Sequence, residues 1–229
     1  MKYSVPIRKI LERAKAQNER AQTGGIAQML GEMTRMALAS EAFDVILTTR
    51  DPTKTEASHL KSIHDASKKL AGAAAKSRAE ADRILSEAGY AIGQKLREET
   101  KLTDGPRGPE IRSALRAMSQ ADRNSLLLSA MKSKDSETLA AMLDAPAFLA
   151  GIDREHQATM RATYEEQVAP HLVREMGALL DTHQSAVAMT RAAERAAQEA
   201  QKADAVHKIS EAEQAAINAM KELDAATRS

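Results

Sequence analysis

Between Pro52 and Pro106 the chain runs for roughly 50 residues without a proline, which as a single α-helix rising ~1.5 Å per residue would reach about 75 Å. Nothing else in the sequence narrows the fold so far. Its apolar positions are Leu60, Ile63, Leu70, Ala74, Ala81, Ile84, Leu85, Ala88, Ile92 and Leu96. The early ones keep the 3- and 4-residue steps of a coiled-coil seam, and the stripe then drifts. Small residues in mid-seam (Ala74, Ser77, Ala81) let a second helix approach closely. A helix this long, left alone, would be under-buried.

A second long helix is expected at the other end of the chain. From His171 onward there is no proline, and Gly177 is the only glycine. Large apolar residues gather first as Leu172, Met176, Leu179, Leu180 and Val187, then as Val206, Ile209, Ile217, Met220 and Leu223. Between Thr190 and Ala205 only alanines stand among the charges. Pairs such as Arg195–Glu199 and Asp204–Lys208 support that stretch by only about 0.2–0.5 kcal/mol each. It is a rod, either exposed or packed against another alanine face. The two long helices are expected to pack antiparallel.

Shorter elements precede and separate them. Ser4 and Pro6 suit a helix start, with Ile7, Ile10, Leu11 and Ala14 on one face. Gly24-Gly25 is expected to break that helix. From Ile26 to about Thr49, the positions Met29, Leu30, Met33, Met36, Ala37 and Phe43 make a buried stripe. Asp51-Pro52 ends this segment and is expected to start the long helix.

TDGPRGPE (103–110) is the clearest boundary, because two Gly-Pro steps cannot propagate a helix and Pro109 can open the next. Short helices follow. Ser119 with Asp122 forms a capping-box pattern, Asp135 or Ser136 caps the next segment, and Pro146, Gly151 and Asp153 punctuate what comes after. Pro170 kinks or divides the remainder. Aromatics are only 2% of the chain, with two Phe and no Trp. The bulky residues here (Leu126–Met131, Leu139, Met142, Leu143, Phe148, Leu149) therefore read as a module core. The expected fold is all-α: an elongated helical bundle with two long helices and a compact short-helix module between them. The segments are 1–50, 51–103, 104–170 and 171–229, together one elongated domain.

Chemistry is sparse. The chain has no cysteine, which excludes disulfides, thiol catalysis and Cys-ligated zinc. A bundle di-metal site needs paired Glu-x-x-His motifs. Glu56–His59 fits once, whereas Asp153–His156 and Asp204–His207 place Asp where Glu belongs. Surface histidines are the preferred reading. Arg107, between two Gly-Pro steps, reads as a solvated side chain on a rigid turn. No catalytic residue, cofactor or metal is expected, and the chain is read as not an enzyme.

The net charge is +1, so no global pull toward nucleic acid or acidic lipid exists. The N-terminal segment nevertheless carries Lys2, Arg8, Lys9, Arg13, Lys15 and Arg20 against Glu12 and Glu19, giving candidate phosphate contacts. Aromatic interleaving is lacking apart from Tyr3. No apolar run approaches the roughly 20 residues of a membrane span, and MKYSVPIRKI lacks the apolar core of a secretory signal. The expectation is a soluble, intracellular product without membrane contact. Met29, Met33, Met36, Ala74, Ser77 and Ala81 are the candidate partner-facing positions.

The stretch SALRAMSQADRNSLLLSAMKSKDSETLAAMLDAPAFLAGIDREHQATMRATYEEQVAP (113–170) resembles a passage in small helical proteins of tailed bacteriophages and prophages. The similar elements are the acidic cap before LLLSAM, the KDSETLAAMLDAPAFLAGI module and the amphipathic segment ending near Pro170. The resemblance implies a phage gene product, a virion or assembly component made in the host cytoplasm, and supplies no catalytic residues. The expected function is a non-enzymatic structural protein of a phage particle that binds other virion proteins or its own copies. The alternative is a cytoplasmic helical adaptor or nucleic-acid-associated protein that uses the basic N-terminal helix.

Overall fold

Residues 2–19, 24–202 and 204–227 are described by the structure, a computed structural model of the chain. Among them lie α1 (Ser4–Gln17), α2 (Gly24–Thr48), α3 (Glu56–Thr100), α4 (Gly108–Ala117) and α5 (Gln120–Ser133). They continue as α6 (Ser136–Leu143), α7 (Ala147–Ala150), α8 (Arg154–Val168), α9 (Pro170–Lys202) and α10 (Asp204–Thr227), with no strand among the described residues. The all-α expectation holds. The chain forms two compact units, Met1–Ser86 with Ala178–Ser229, and Glu87–Gly177. Both boundaries fall inside long helices, so α3 and α9 each give a segment to either unit.

In the first unit, side-chain pairs establish how the helices run. The Asp44 carboxylate of α2 accepts the backbone N–H groups of Tyr3 (2.9 Å) and Ser4 (2.8 Å), while Arg8 meets Glu41 at 3.4 Å. Rising numbers on α1 thus meet falling numbers on α2, which makes an antiparallel hairpin. Asn18 Nδ2 donates to Thr182 Oγ1 (2.9 Å) and the Tyr3 hydroxyl bonds Glu199, so α1 also runs antiparallel to α9. His183 lies 2.6 Å from Asp82, joining α9 to α3. Ile7, Leu11, Ile26, Met29, Met33, Met36, Phe43, Ile63, Leu70 and Met189 are buried around these contacts.

Ala193, Ala196, Ala197 and Ala200 of α9 are buried as well, so the alanine-only stretch is packed and not a bare rod. A methyl group buries little area, but it lets helix backbones approach closely and gain dispersion contacts. Expected details on α9 and α10 that involve Ile209 and the Asp204–Lys208 pair fall on side chains outside the described residues.

Three local expectations shift here. Ser4 is the first residue of α1 but no side chain of its own segment caps the helix; Asp44 does so from α2. Gly24 and Gly25 open α2 instead of lying in a gap. Asp51-Pro52 does not begin α3. Asp51 accepts from Thr53 N (2.9 Å) and Oγ1 (2.6 Å), and Lys54 N donates to Asp51 O (3.1 Å), so Pro52 sits in a turn. Thr55 then caps α3 by accepting from Ser58 N at 3.2 Å.

The Tyr3 phenol is pushed above its ordinary value of 10.0, first by burial, then by the charge and hydrogen bond of Glu199, then by Asp44. The folded chain therefore keeps a proton that the unfolded chain releases near pH 10. This contribution to stability is complete below about pH 10 and disappears as pH rises through the raised value. Tyr3→Phe should flatten the alkaline limb of a stability-versus-pH curve measured by urea unfolding, leaving the neutral region's slope unchanged.

In the second unit α9 meets α3 where His171 lies 3.2 Å from Glu99. Leu102, Leu115, Leu127, Met131, Leu139, Met142, Leu143 and Tyr164 form the core, flanked by Ile111, Leu126, Ile152, Met160 and Val168. Ser119, Asp135 and Asp153 cap α5, α6 and α8, each accepting a backbone N–H at 3.2 Å or less. Side chains of neighbouring helices close the C-terminal ends of α4 and α6. Arg123 Nη1 donates to Leu115 O (3.1 Å) and Met118 O (2.8 Å) at the end of α4. Gln157 Nε2 donates to Met142 O (2.6 Å) and Ala145 O (2.8 Å) at the end of α6. Short helices leave a large share of their carbonyls unpaired, so such cross-links satisfy groups that the helix cannot.

The expected module core needs two corrections. Phe148 is 77% exposed and Leu128 is 51% exposed. α7 is a single four-residue turn whose Ala150 points inward, which places Phe148 on the opposite side. Leu149 is half-buried.

Gly108 opens α4 against a salt bridge of 2.7 Å between Asp104 and Arg112. A Cβ there would run into the Asp104 carboxylate and lie 2.9 Å from Arg112 Nη1. Gly108→Ala should displace that pair and lower the stability of the unit by about 1–3 kcal/mol, the range for overpacking. A urea midpoint unchanged from the parent would contradict the close approach.

Candidate helix-docking surface

The candidate partner-facing residues divide on inspection. Met29, Met33, Met36, Ala74 and Ala81 are at most 3% exposed, filling the chain's own interior instead of an outward face. The reason is that α2 packs on α1 and beside α3, and α3 meets α9, within one unit, so the stripe that seemed to need a partner finds it in the same chain. Ser77 is half-buried at the edge of a groove, where Met36 also contributes.

That groove runs between α2 and α3. Its apolar end, about 270 Å3, is lined by Ala39, Ala42, Phe43 and Ile46 of α2 and by Ala66, Lys69, Leu70 and Ala73 of α3. A second stretch of about 400 Å3 adds Glu32, Arg35, Met36, Lys76, Ser77 and Glu80, sharing Ala39 and Ala73 with the first. Charges gather at this second end. Arg35 pairs with Glu32, and Glu80 accepts from Arg83 at 2.6 and 2.9 Å. The Arg83 hydrogen bond, with Arg35 nearby, holds the Glu80 carboxyl below the ordinary range.

Beside the groove, the outward side of α2 exposes Leu38 (61%) and Val45 (58%), with the groove residue Ile46 (37%) next to them. Sequence reading counted one stripe on this helix and missed the other. The available signal was that α2 carries large apolar residues on more than one side, more than a single buried face needs. On α10, the described side chains from His207 to Leu223 are exposed, including Ile217, Met220 and Leu223.

The basic N-terminal positions are spread and interleaved with acid. Lys2, Arg8 and Lys9 line a groove of about 470 Å3 together with Glu12, Glu41 and Asp44. Arg8 is 3.4 Å from both Glu12 and Glu41. Lys9 and Arg13 line a second groove, of about 460 Å3, that includes Asp181. Lys15 lies beside Glu19 in a third. Arg20 lies outside the described residues. The structure therefore forms no single basic patch from the described members of this set.

The metal near-matches separate too. Asp153 spends its carboxylate on the N–H groups of Glu155 and His156, while at the start of α3 Glu56 is exposed and His59 half-buried. No group of three His, Cys, Asp or Glu suited to a metal ion occurs among the described residues. Arg107 meets Glu137 at 3.3 Å on the surface. No described helix is long and apolar enough to cross a membrane. No protein-family model, curated protein or solved structure matches the chain.

Proposed function

We propose that the chain is a non-enzymatic assembly protein of a bacteriophage particle, present in many copies and joined by helix–helix contacts to other subunits. One observation carries the assembly reading. α2 buries Met29, Met33, Met36 and Phe43 on one side and leaves Leu38, Val45 and Ile46 uncovered on the other. Large apolar residues left on a second side of a helix gain stability when a partner covers them. The phage attribution rests on the likeness of residues 113–170 to passages of phage and prophage proteins.

The test is mass spectrometry of purified virions from a phage that encodes the chain, together with light scattering of the isolated protein at tens of micromolar. Presence in the virion and a mass above the monomer are expected, and Leu38→Glu with Val45→Glu should reduce both. A monodisperse monomer that is absent from virions would end the proposal. The nucleic-acid reading is supported by the exposure of Lys2, Arg8, Lys9, Arg13 and Lys15. It requires DNA affinity that falls steeply with salt and is lost on deleting residues 1–25.

A further inference from the structure

The α2/α3 groove and helix α10 complement one another. The groove is lined largely by small residues, with half-buried Ala39 and Ala73 and exposed Ala42 set beside Ile46 and over the buried Phe43 and Leu70. Helix α10 presents the reverse, large side chains on an exposed face, with Ile217 49% and Met220 61% exposed. Lengths agree: α2 lines the groove from Glu32 to Ile46, about 20 Å of helix, and His207 to Leu223 covers about 24 Å. Charges agree in sign. Within the stretch His207 to Leu223 the sequence carries Glu211, Glu213 and Glu222 against Lys208 and Lys221, a small negative balance. Around the groove, Arg35, Lys69, Lys76 and Arg83 stand against Glu32 and Glu80.

Within one copy the described side chains of α10 beyond Val206 remain exposed, so they do not fill the groove of their own chain. We infer that α10 of one copy lies in the α2/α3 groove of a second copy, which returns the same contact. Helix-in-groove docking places apolar knobs at 3- and 4-residue steps into a hydrophobic channel. Reciprocal exchange makes the assembly a closed two-fold dimer in which the contact is made twice. This builds on the assembly reading by naming the occupant of one of its surfaces.

Two full-length variants test it by sedimentation velocity, with far-UV circular dichroism confirming equal helicity. One carries Ala42→Glu and Ile46→Glu in the groove; the other carries Ile217→Glu and Met220→Glu on α10. The parent should be a dimer and each variant alone a monomer. Mixed together they should dimerise again, because one supplies an intact groove and the other an intact α10. A monomeric parent, or a mixture that stays monomeric, overturns the inference. So does a groove variant that remains dimeric while the α10 variant does not, since that outcome means α10 pairs with α10.

A measurement free of substitutions accompanies this. Amine cross-linking of mixed light and heavy copies should join Lys208 or Lys221 of one copy to Lys69 or Lys76 of another. Cross-links confined to single copies, or running between two α10 helices, would again overturn it. A monomer that still enters particles would end this inference and leave the assembly reading standing. A reciprocal dimer absent from particles would do the reverse.

Discussion

Leu139→Ala is expected to lower the stability of the second unit by about 2–5 kcal/mol, the range for truncating a fully buried leucine. Leu139 has no exposed surface, and it lies on α6, whose residues Leu139 through Leu143 are all buried. Eight residues cannot hold a helix in water without tertiary packing. The cavity would therefore loosen α6, and with it the carbonyls of Met142 and Ala145 that Gln157 ties to α8. Hydrogen exchange at the amides of α5, α6 and α8 reads this unit separately from the other. Phe148→Ala serves as the control. A side chain 77% exposed should change stability by no more than about 0.5 kcal/mol despite its larger ring. Equal losses for the two variants would mean that α7 is turned the wrong way.

The second large effect is expected at Asp44. Its carboxylate is 5% exposed and holds the N–H groups of Tyr3 and Ser4 at the start of α1. Removing it leaves two donors unpaired in a part-buried site and withdraws a negative charge from a helix N-terminus. Asp44→Ala should cost about 2–3 kcal/mol, given that bonds to a charged acceptor are worth more than neutral ones. The loss should be local. α1 has 14 residues, too few to persist unpacked, so the amides from Ile7 to Ala14 should lose most of their exchange protection. Asp44→Asn keeps one acceptor and should lose roughly half as much. Unchanged protection of α1 in Asp44→Ala would show that packing of Ile7, Leu11 and Ala14 suffices to hold the helix.

The two effects differ in how far they could be read beforehand. Leu139 stands out in the sequence because it sits three residues past an Asp-Ser cap in a chain poor in bulky side chains. Asp44 does not, since its partners lie 40 residues away and nothing local marks them. The same contrast runs through the candidate site. The methionine stripe of α2 and the small-residue seam of α3 were legible as surfaces needing a cover. What covers them was not, because periodicity identifies an apolar face and says nothing of its neighbour. Met29, Met33, Ala74 and Ala81 turned out to meet the chain's own helices, and the uncovered apolar surface moved to Leu38, Val45 and Ile46.

By itself the sequence determined the all-α class, the long proline-free helices, the break at 103–110, the caps Ser119 and Asp153, and a third cap at Asp135 or Ser136. These follow from propensity, from proline's missing N–H and from hydrogen bonds spanning three residues, all of them short-range. Only the tertiary structure decided that Asp44 would cap α1, that Phe148 would face outward, and that Arg123 and Gln157 would close the ends of α4 and α6. It also placed Lys101 and Lys134 at positive φ, a conformation usually left to glycine. Each of these depends on which distant backbone comes within hydrogen-bonding or packing distance, and that is settled by the helices packing together, not by any one of them alone.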